Sequence, residues 1–203
     1  ALRQTSEEEM YKLSLSQKIA FSAVLAAICV VVKIFKFTAL PGLEISFSYT
    51  PNFLAGIFLG PLYGGLVGLS GDIIGTLIQG KAISPLITLG NALIGVLMGV
   101  AFRYAYINNV YMKIVFGAFM VLVVVTYGIN TAAFVLPPLS LYSSYMVALS
   151  VRIPQAGMLA LNTLIVIGLY EVLDRTIFMP YKEEKKKRTS PSKGAGKYEI
   201  TRK

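Results

Sequence analysis

Two apolar, glycine-rich segments that meet at Gly60-Pro61 restrict the possible fold of this chain more than any other feature. Residues 43–75 run from an aromatic loop into one apolar segment, turn, and continue into a second. The second segment contains Gly64, Gly65, Gly68, Gly71, Asp72 and Gly75. Small residues let helix backbones approach closely in a bilayer, where the hydrophobic effect does not drive helices together. The two segments are therefore predicted to be adjacent membrane helices.

The composition of the whole chain agrees with this prediction. Hydrophobic residues make up 55% of the 203 residues and charged residues only 14%, whereas a soluble domain has about 25% charged residues. The mean hydropathy is +0.67. An all-α integral membrane protein is expected, and the length allows roughly six or seven spans of about 20 residues each.

Six membrane helices are predicted from the apolar runs and the breaks between them. They cover about residues 17–35, 51–59, 62–78, 85–104, 110–136 and 151–173. The amphipathic stretch 139–150 is predicted to be a short interfacial helix. The chain then divides into a polar N-terminal segment (1–16), a membrane domain (17–175) and a basic tail (176–203).

The distribution of lysine and arginine predicts the orientation of these helices. With six spans, both termini lie on one side of the membrane, together with most of the basic residues, including those of the tail. Because cytoplasmic segments are enriched in these residues, both termini are expected to be cytoplasmic. The basic tail is then explained by orientation and anionic lipid headgroups rather than by nucleic acid.

The sequence offers little support for catalysis or metal binding. It contains no histidine, and its single cysteine, Cys29, excludes an intrachain disulfide and a cysteine-cluster metal site. It also lacks the phosphate-binding pattern GxxxxGK[ST], so this chain is not expected to hydrolyse ATP. A non-catalytic protein without a cofactor or metal is predicted.

Three segments predicted to face outward carry aromatic and polar side chains. A few placed polar groups between aromatic walls are typical of a small-molecule pocket, and an interfacial aromatic belt is the alternative. Arg152, predicted to begin the last span, is costly at the edge of the hydrocarbon unless it snorkels, pairs with Glu44 or contacts a ligand. The candidates are Lys36, Phe47, Tyr49, Lys81, Ser84, Tyr142, Tyr145, Arg152 and Gln155.

Polar residues inside the predicted spans need partners, because the hydrocarbon offers none. For Asp72, pairing with a distant residue, contact with a ligand and coupling to an ion remain open. For Asn91 and Asn130, the alternatives are bonds between helices and lining of a pocket. Ala20, Ala23 and Ala27 form a flat face on the first span, which suits either another helix of this chain or a separate membrane subunit.

Several of these motifs together resemble the S-components of energy-coupling factor (ECF) vitamin transporters, particularly the folate-type S-components. The resemblance covers about residues 17–175. It is carried by the loop 45–51, by PNFLAGIFLGPLYGG, GLSGDIIG and ITLGNALIGVLMG, by Asn130-Thr131, and by RIPQ at residues 152–155.

The resemblance implies a six-helix bundle in a bacterial cytoplasmic membrane that binds a vitamin from outside, in a pocket closed by outer loops. It also implies a transmembrane coupling subunit, which would dock on Ala20, Ala23 and Ala27, and two ATPase subunits. For a folate, Arg152 and Gln155 would contact the polar part, and Lys36 or Lys81 the glutamate tail. The aromatic residues Phe47, Tyr49, Tyr142 and Tyr145 would stack on the ligand or cover it, and Ser84 and Asn91 would complete the site.

Other functions remain open at this stage. The ligand could be another vitamin, such as pantothenate or riboflavin. The chain could also be a stand-alone secondary transporter with Asp72 as its proton site, or a membrane scaffold without any ligand.

Overall fold

Helices dominate the computed structural model, which describes residues 13–35, 37–40, 43–137 and 139–178. The α-helices are α1 (Leu15–Ile34), α2 (Tyr49–Leu59), α3 (Pro61–Ile78), α4 (Pro85–Tyr104), α5 (Val110–Met120), α6 (Asn130–Val135), α7 (Tyr145–Arg152) and α8 (Gln155–Leu173). Two π-helical stretches, Val121–Ile129 and Asp174–Phe178, continue α5 and α8. Most of the predicted N-terminal segment and of the predicted basic tail lies outside the described residues.

Five helices are long and apolar enough to cross a membrane, which confirms the prediction of a helical membrane protein. They are α1, α3, α4, the continuous helix Val110–Val135, and α8 with its extension to Thr176. The remaining predicted span, α2, has only 11 residues, and all of them are buried. It is therefore enclosed by the other helices.

A short β-hairpin joins α1 to α2, where the sequence predicted only a loop. Strand β1 (Phe37–Leu40) pairs antiparallel with β2 (Leu43–Ile45), with Thr38 opposite Glu44. The prediction of an all-α protein therefore omitted one two-stranded element.

The glycines of α3 allow its backbone to touch α4. A Cβ atom built on Gly68 would lie 2.1 Å from the Asn91 backbone oxygen, and one on Gly95 would lie 2.2 Å from the Gly64 oxygen. Both distances are far shorter than any tolerated contact, so side chains are excluded at these positions. The close approach predicted from the glycine pattern is thus present.

The turn between α2 and α3 requires glycine for a different reason. Gly60 has a φ of 94°, a left-handed conformation that other residues rarely adopt. Pro61 follows at the first position of α3, where its fixed φ fits and its missing N–H removes no helical bond. The two helices therefore follow each other with a single intervening residue.

The π-helical stretch Val121–Ile129, called the π segment below, changes which residues of the fifth span face inward. Val121 and Val125 are buried four residues apart, as in an α-helix. The next buried pair after Val125 and Thr126 is Asn130 and Thr131, which follows at a spacing of five residues. The Asn130 N–H donates to the Val125 oxygen, and the Thr131 hydroxyl donates to the Thr126 oxygen at 2.9 Å. The sequence pattern did not predict this interruption.

The last span begins later than predicted, and Arg152 does not belong to it. Arg152 ends α7, and α8 starts at Gln155. Pro154 separates the two helices because its ring and its missing N–H prevent α7 from continuing through it. The amphipathic helix predicted at 139–150 is present as Tyr145–Arg152, so it includes the arginine.

Candidate ligand-binding site

A cavity of about 450 Å³ lies between α1, α3, α4, α6 and the segment leading into α2. Its volume is within the range of small-molecule sites. The loop after α3, the connection after α6, and the junction of α7 and α8 complete its wall. The polar residues used in the argument below are Lys33, Asp72, Asn91, Asn130, Arg152 and Gln155.

An ion pair between α1 and α3 forms one side of the cavity. The ammonium of Lys33 contacts the carboxylate of Asp72, and it also donates to the Thr76 hydroxyl at 2.8 Å. The aliphatic part of the lysine lies against Gly75, where a built Cβ would be 2.8 Å from its Cδ atom. The glycine therefore leaves the space through which the lysine reaches the carboxylate.

The other contacts of Asp72 come from α4. The Thr88 hydroxyl donates to one carboxylate oxygen at 2.6 Å, and the Asn91 amide donates to the other at 2.7 Å. Of the possibilities left open by the sequence, Asp72 thus has a distant cation as its partner. Asn91 both joins two helices and lines the cavity.

Asn162 supports the non-helical backbone that leads into α2. Its amide nitrogen donates to the Ser46 backbone oxygen at 3.1 Å, and its oxygen accepts from the Thr50 hydroxyl at 2.9 Å. Because Asn162 lies about two turns into α8, this backbone is at membrane depth. Such backbone is tolerated where protein surrounds it or where it lines a cavity.

Arg152 and Gln155 are buried on the wall formed by α7 and α8. The guanidinium of Arg152 lies 5.0 Å from the centre of the Phe134 ring, which is within the range of a cation–π interaction. Arg152 is thus buried beside the cavity rather than exposed at the surface of the protein, and its contact with a ligand stays a prediction.

Two further polar atoms face the cavity without a protein partner. The Ser84 hydroxyl oxygen and the Asn130 side-chain oxygen are buried, and neither has a hydrogen bond within the described ranges. Burying such atoms unsatisfied costs free energy. A ligand with hydrogen-bonding groups can satisfy both atoms.

The structure gathers only part of the predicted site around this cavity. Phe47 is 44% exposed and lines a separate apolar groove between α1 and α8. Tyr142 and Tyr145 are not among the described residues that line the cavity, and the Tyr145 hydroxyl donates to the Tyr127 oxygen instead. Lys36 lies outside the described residues. The predicted residues that do line the cavity are Tyr49, Lys81, Ser84, Asn91, Arg152 and Gln155.

Three residues that build this site were not among the predicted ones. They are Lys33, Asn52 and Asn162. Asn52 is 1% exposed and accepts a weak bond from the Cys29 thiol at 3.6 Å. The rule applied to Asn91, that an amide inside an apolar helix needs a partner, would have found both asparagines.

The small-residue face of α1 lies on the outside of the described bundle. Ala20, Ala23 and Ala27 are all exposed. They do not pack into the interior of the part of the chain that the structure describes, which leaves the face available to another molecule or to lipid.

Comparisons with known proteins agree with this arrangement. The structure is similar to one described as FolT bound with folic acid, with a TM-score of 0.63 and 23% identity, covering 74% of this chain and 90% of that chain. It is similar to the same degree, with a TM-score of 0.63, to the S component of a bacterial ECF transporter, at 22% identity, covering 80% and 98% of the two chains. A search of curated protein sequences found no match.

Membership of a family rests on the sequence itself. Residues 17–179 match the family described as "ECF transporter, substrate-specific component". This match covers well over half of the chain, and it agrees with the resemblance deduced from its motifs. The chain therefore belongs to the substrate-specific components of ECF transporters, the membrane subunits that bind the transported substrate.

Proposed function

We propose that this protein binds a folate-type vitamin in the cavity described above and delivers it for ATP-driven uptake. The observation that carries the proposal is the polar lining of a 450 Å³ cavity in a bundle similar to a folate-bound protein. Arg152 and Gln155 face it from one wall and the Lys33–Asp72–Asn91 network from another. A heterocycle with donors and acceptors on its edges can bond to both walls at once.

Each part of a folate has a counterpart in this cavity. The planar fork of Arg152 suits an acceptor edge or a carboxylate. Tyr49 supplies an aromatic surface, and its ring lies 6.1 Å from that of Phe53. Lys81 is exposed beside the cavity and pairs with a carboxylate of the glutamate tail. Lys36 is the alternative partner of that carboxylate, and Phe47, Tyr142 and Tyr145, which do not line the cavity, are the candidates for its lid.

The same proposal includes the arrangement in the membrane. Six helices cross, with α2 as the short sixth crossing, and the cavity opens outward. Both termini are cytoplasmic, and residues 1–16 and 176–203 flank a membrane domain at 17–175. Ala20, Ala23 and Ala27 dock a transmembrane coupling subunit, which in turn binds two ATPases.

Titration of the purified protein with folic acid, followed by calorimetry, tests the choice of vitamin. We expect tight binding of folic acid and much weaker binding of riboflavin and pantothenate. Preferential binding of either of the other two vitamins overturns the choice of folate. Mass spectrometry of small molecules that co-purify with the protein gives an independent answer.

Reconstitution tests the mode of transport. The chain alone in vesicles should not accumulate folic acid under a pH gradient, because Asp72 is already paired with Lys33. Accumulation driven by the gradient without any ATPase would instead identify a secondary transporter.

A further inference from the structure

We propose that Asn130 determines the specificity of this cavity, with its side-chain oxygen accepting a hydrogen bond from an N–H group of the ligand. The inference rests on the proposed function, because it concerns the same cavity. It adds a residue that the sequence left undecided between helix contact and pocket lining, and it states what that residue demands of the ligand.

The π segment sets which residue accompanies Asn130 on the inward side. In an uninterrupted α-helix, the inward pair Val125-Thr126 would be followed four positions later by Ile129 and Asn130, whereas here it is followed by Asn130 and Thr131. The Asn130 N–H instead bonds to the Val125 oxygen five residues back. With this wider turn Asn130 lies on the inward side together with Thr131, and it is 7% exposed. Single π turns inside α-helices are frequent at functional sites.

A glycine on the neighbouring helix leaves room for the amide. A Cβ atom built on Gly90 would lie 2.2 Å from the Asn130 side-chain oxygen. Any side chain at position 90 therefore displaces the amide from its present position. Gly90 of α4 and the π segment thus act from two sides on the same group.

The side-chain oxygen of Asn130 accepts no hydrogen bond from the described residues. It is buried and has no hydrogen-bond partner in the described part of the chain, although most buried acceptors have one. An acceptor with this burial favours a ligand that presents a donor and disfavours one that presents an acceptor or an apolar edge. A heterocycle carrying ring N–H or amino groups has the required chemistry.

Three variants test the assignment. Asn130→Leu removes the amide at similar size, and Gly90→Ala displaces it while keeping its chemistry. Gly168→Ala is the matched control, because a Cβ atom on that helical glycine meets nothing within 4 Å. Each protein is purified in detergent, its unfolding temperature is measured without ligand, and its affinity for folic acid is measured by calorimetry.

We expect both site variants to bind folic acid at least about tenfold more weakly, which corresponds to the loss of one buried hydrogen bond. Gly168→Ala should bind like the wild type. Without ligand, Asn130→Leu should unfold at the wild-type temperature or above it, because it removes a buried acceptor that the protein does not satisfy.

Two results overturn the inference. One is unchanged affinity in a well-folded Gly90→Ala or Asn130→Leu protein. The other is a ligand-free Asn130→Leu protein that unfolds well below the wild type while Gly90→Ala binds normally, because the amide then has a structural role. If wild-type protein does not bind folic acid at all, the proposed vitamin fails. In that case the unfolding temperature of ligand-free Asn130→Leu alone decides the inference.

Discussion

Lys33 of α1 and Asp72 of α3 form an ion pair on the wall of the 450 Å³ cavity. Their side chains are only 11% and 3% exposed. Through Thr88 and Asn91 the same carboxylate is bonded to α4. Helix α1, whose exposed alanine face consists of Ala20, Ala23 and Ala27, is therefore joined to the cavity by a single polar network.

Breaking this ion pair should destabilise the protein. Removing one partner of a buried pair leaves an uncompensated charge, which costs about 3 kcal/mol or more. Lys33→Met alone should therefore lower the free energy of unfolding by about that amount. The Lys33→Met/Asp72→Asn double variant should recover much of the loss, because the neutral amide introduced by the second substitution can still accept from Thr88.

A pair on the surface provides the control for this experiment. Arg175 and Glu171 form an i, i+4 contact at 2.6 Å with side chains 73% and 49% exposed. Such exposed pairs contribute little to stability. Glu171→Gln should therefore leave the free energy of unfolding, measured in detergent, nearly unchanged. If Lys33→Met and Glu171→Gln lower the free energy of unfolding equally, burial is not what makes the first ion pair important.

Adding a methyl group between α3 and α4 should also destabilise the bundle. In Gly95→Ala the new Cβ atom would lie 2.2 Å from the Gly64 oxygen, which forces the backbones apart. Overpacking of this kind costs about 1–3 kcal/mol. Gly157→Ala is the control, since its Cβ atom meets nothing within 4 Å. The unfolding temperature of Gly157→Ala should equal that of the wild type or lie above it.

Removal of the Arg152 guanidinium should weaken ligand binding. We expect Arg152→Ala to lose about 1.5–3 kcal/mol of binding free energy for folic acid, the scale of a charge-assisted hydrogen bond. Arg152→Lys should also be impaired, because lysine lacks the planar fork. Calorimetry that finds full affinity in a well-folded Arg152→Ala protein excludes this residue from the site.

Bulky residues on the alanine face should separate binding from transport. Ala23→Leu/Ala27→Leu changes an exposed surface of α1, so folic acid affinity should remain at the wild-type level. Co-purification with the coupling subunit and vitamin uptake should both fail, because the helices can no longer approach closely. Loss of binding with intact assembly is the opposite result and would place this face inside the bundle.

The long helices were predictable because each one is specified by its own run of apolar residues and does not depend on contacts with distant segments. The predicted spans 62–78 and 85–104 differ little from α3 and α4. The π segment could not be found in this way, because a change from α-helical to π-helical hydrogen bonding leaves the apolar composition of residues 121–129 that of an ordinary span. The start of α8 was misplaced because the predicted span 151–173 ran through Pro154, at which the structure has a break between α7 and α8.

The site was harder to predict because its contacts join distant segments. Asp72 was singled out by its rarity in a membrane helix, yet its partner Lys33 is 39 residues away. Nothing in the local sequence connects them, and only the packing of α1 on Gly71 and Gly75 brings them together. Arg152 was singled out because a charge near an apolar run is conspicuous by itself, and its place on the cavity wall agrees with the predicted location.

The length of α2 has a consequence for how the protein is made. Its 11 residues extend about 16 Å, roughly half of the hydrocarbon thickness. A segment of this length cannot be inserted as an independent span. The backbone that leads into it is held by hydrogen bonds from Asn162 of the last span. We therefore expect α2 to enter the bilayer together with α3, as a helical hairpin closed at Gly60. The cavity can then be completed only after α8, which carries Gln155, has been translated.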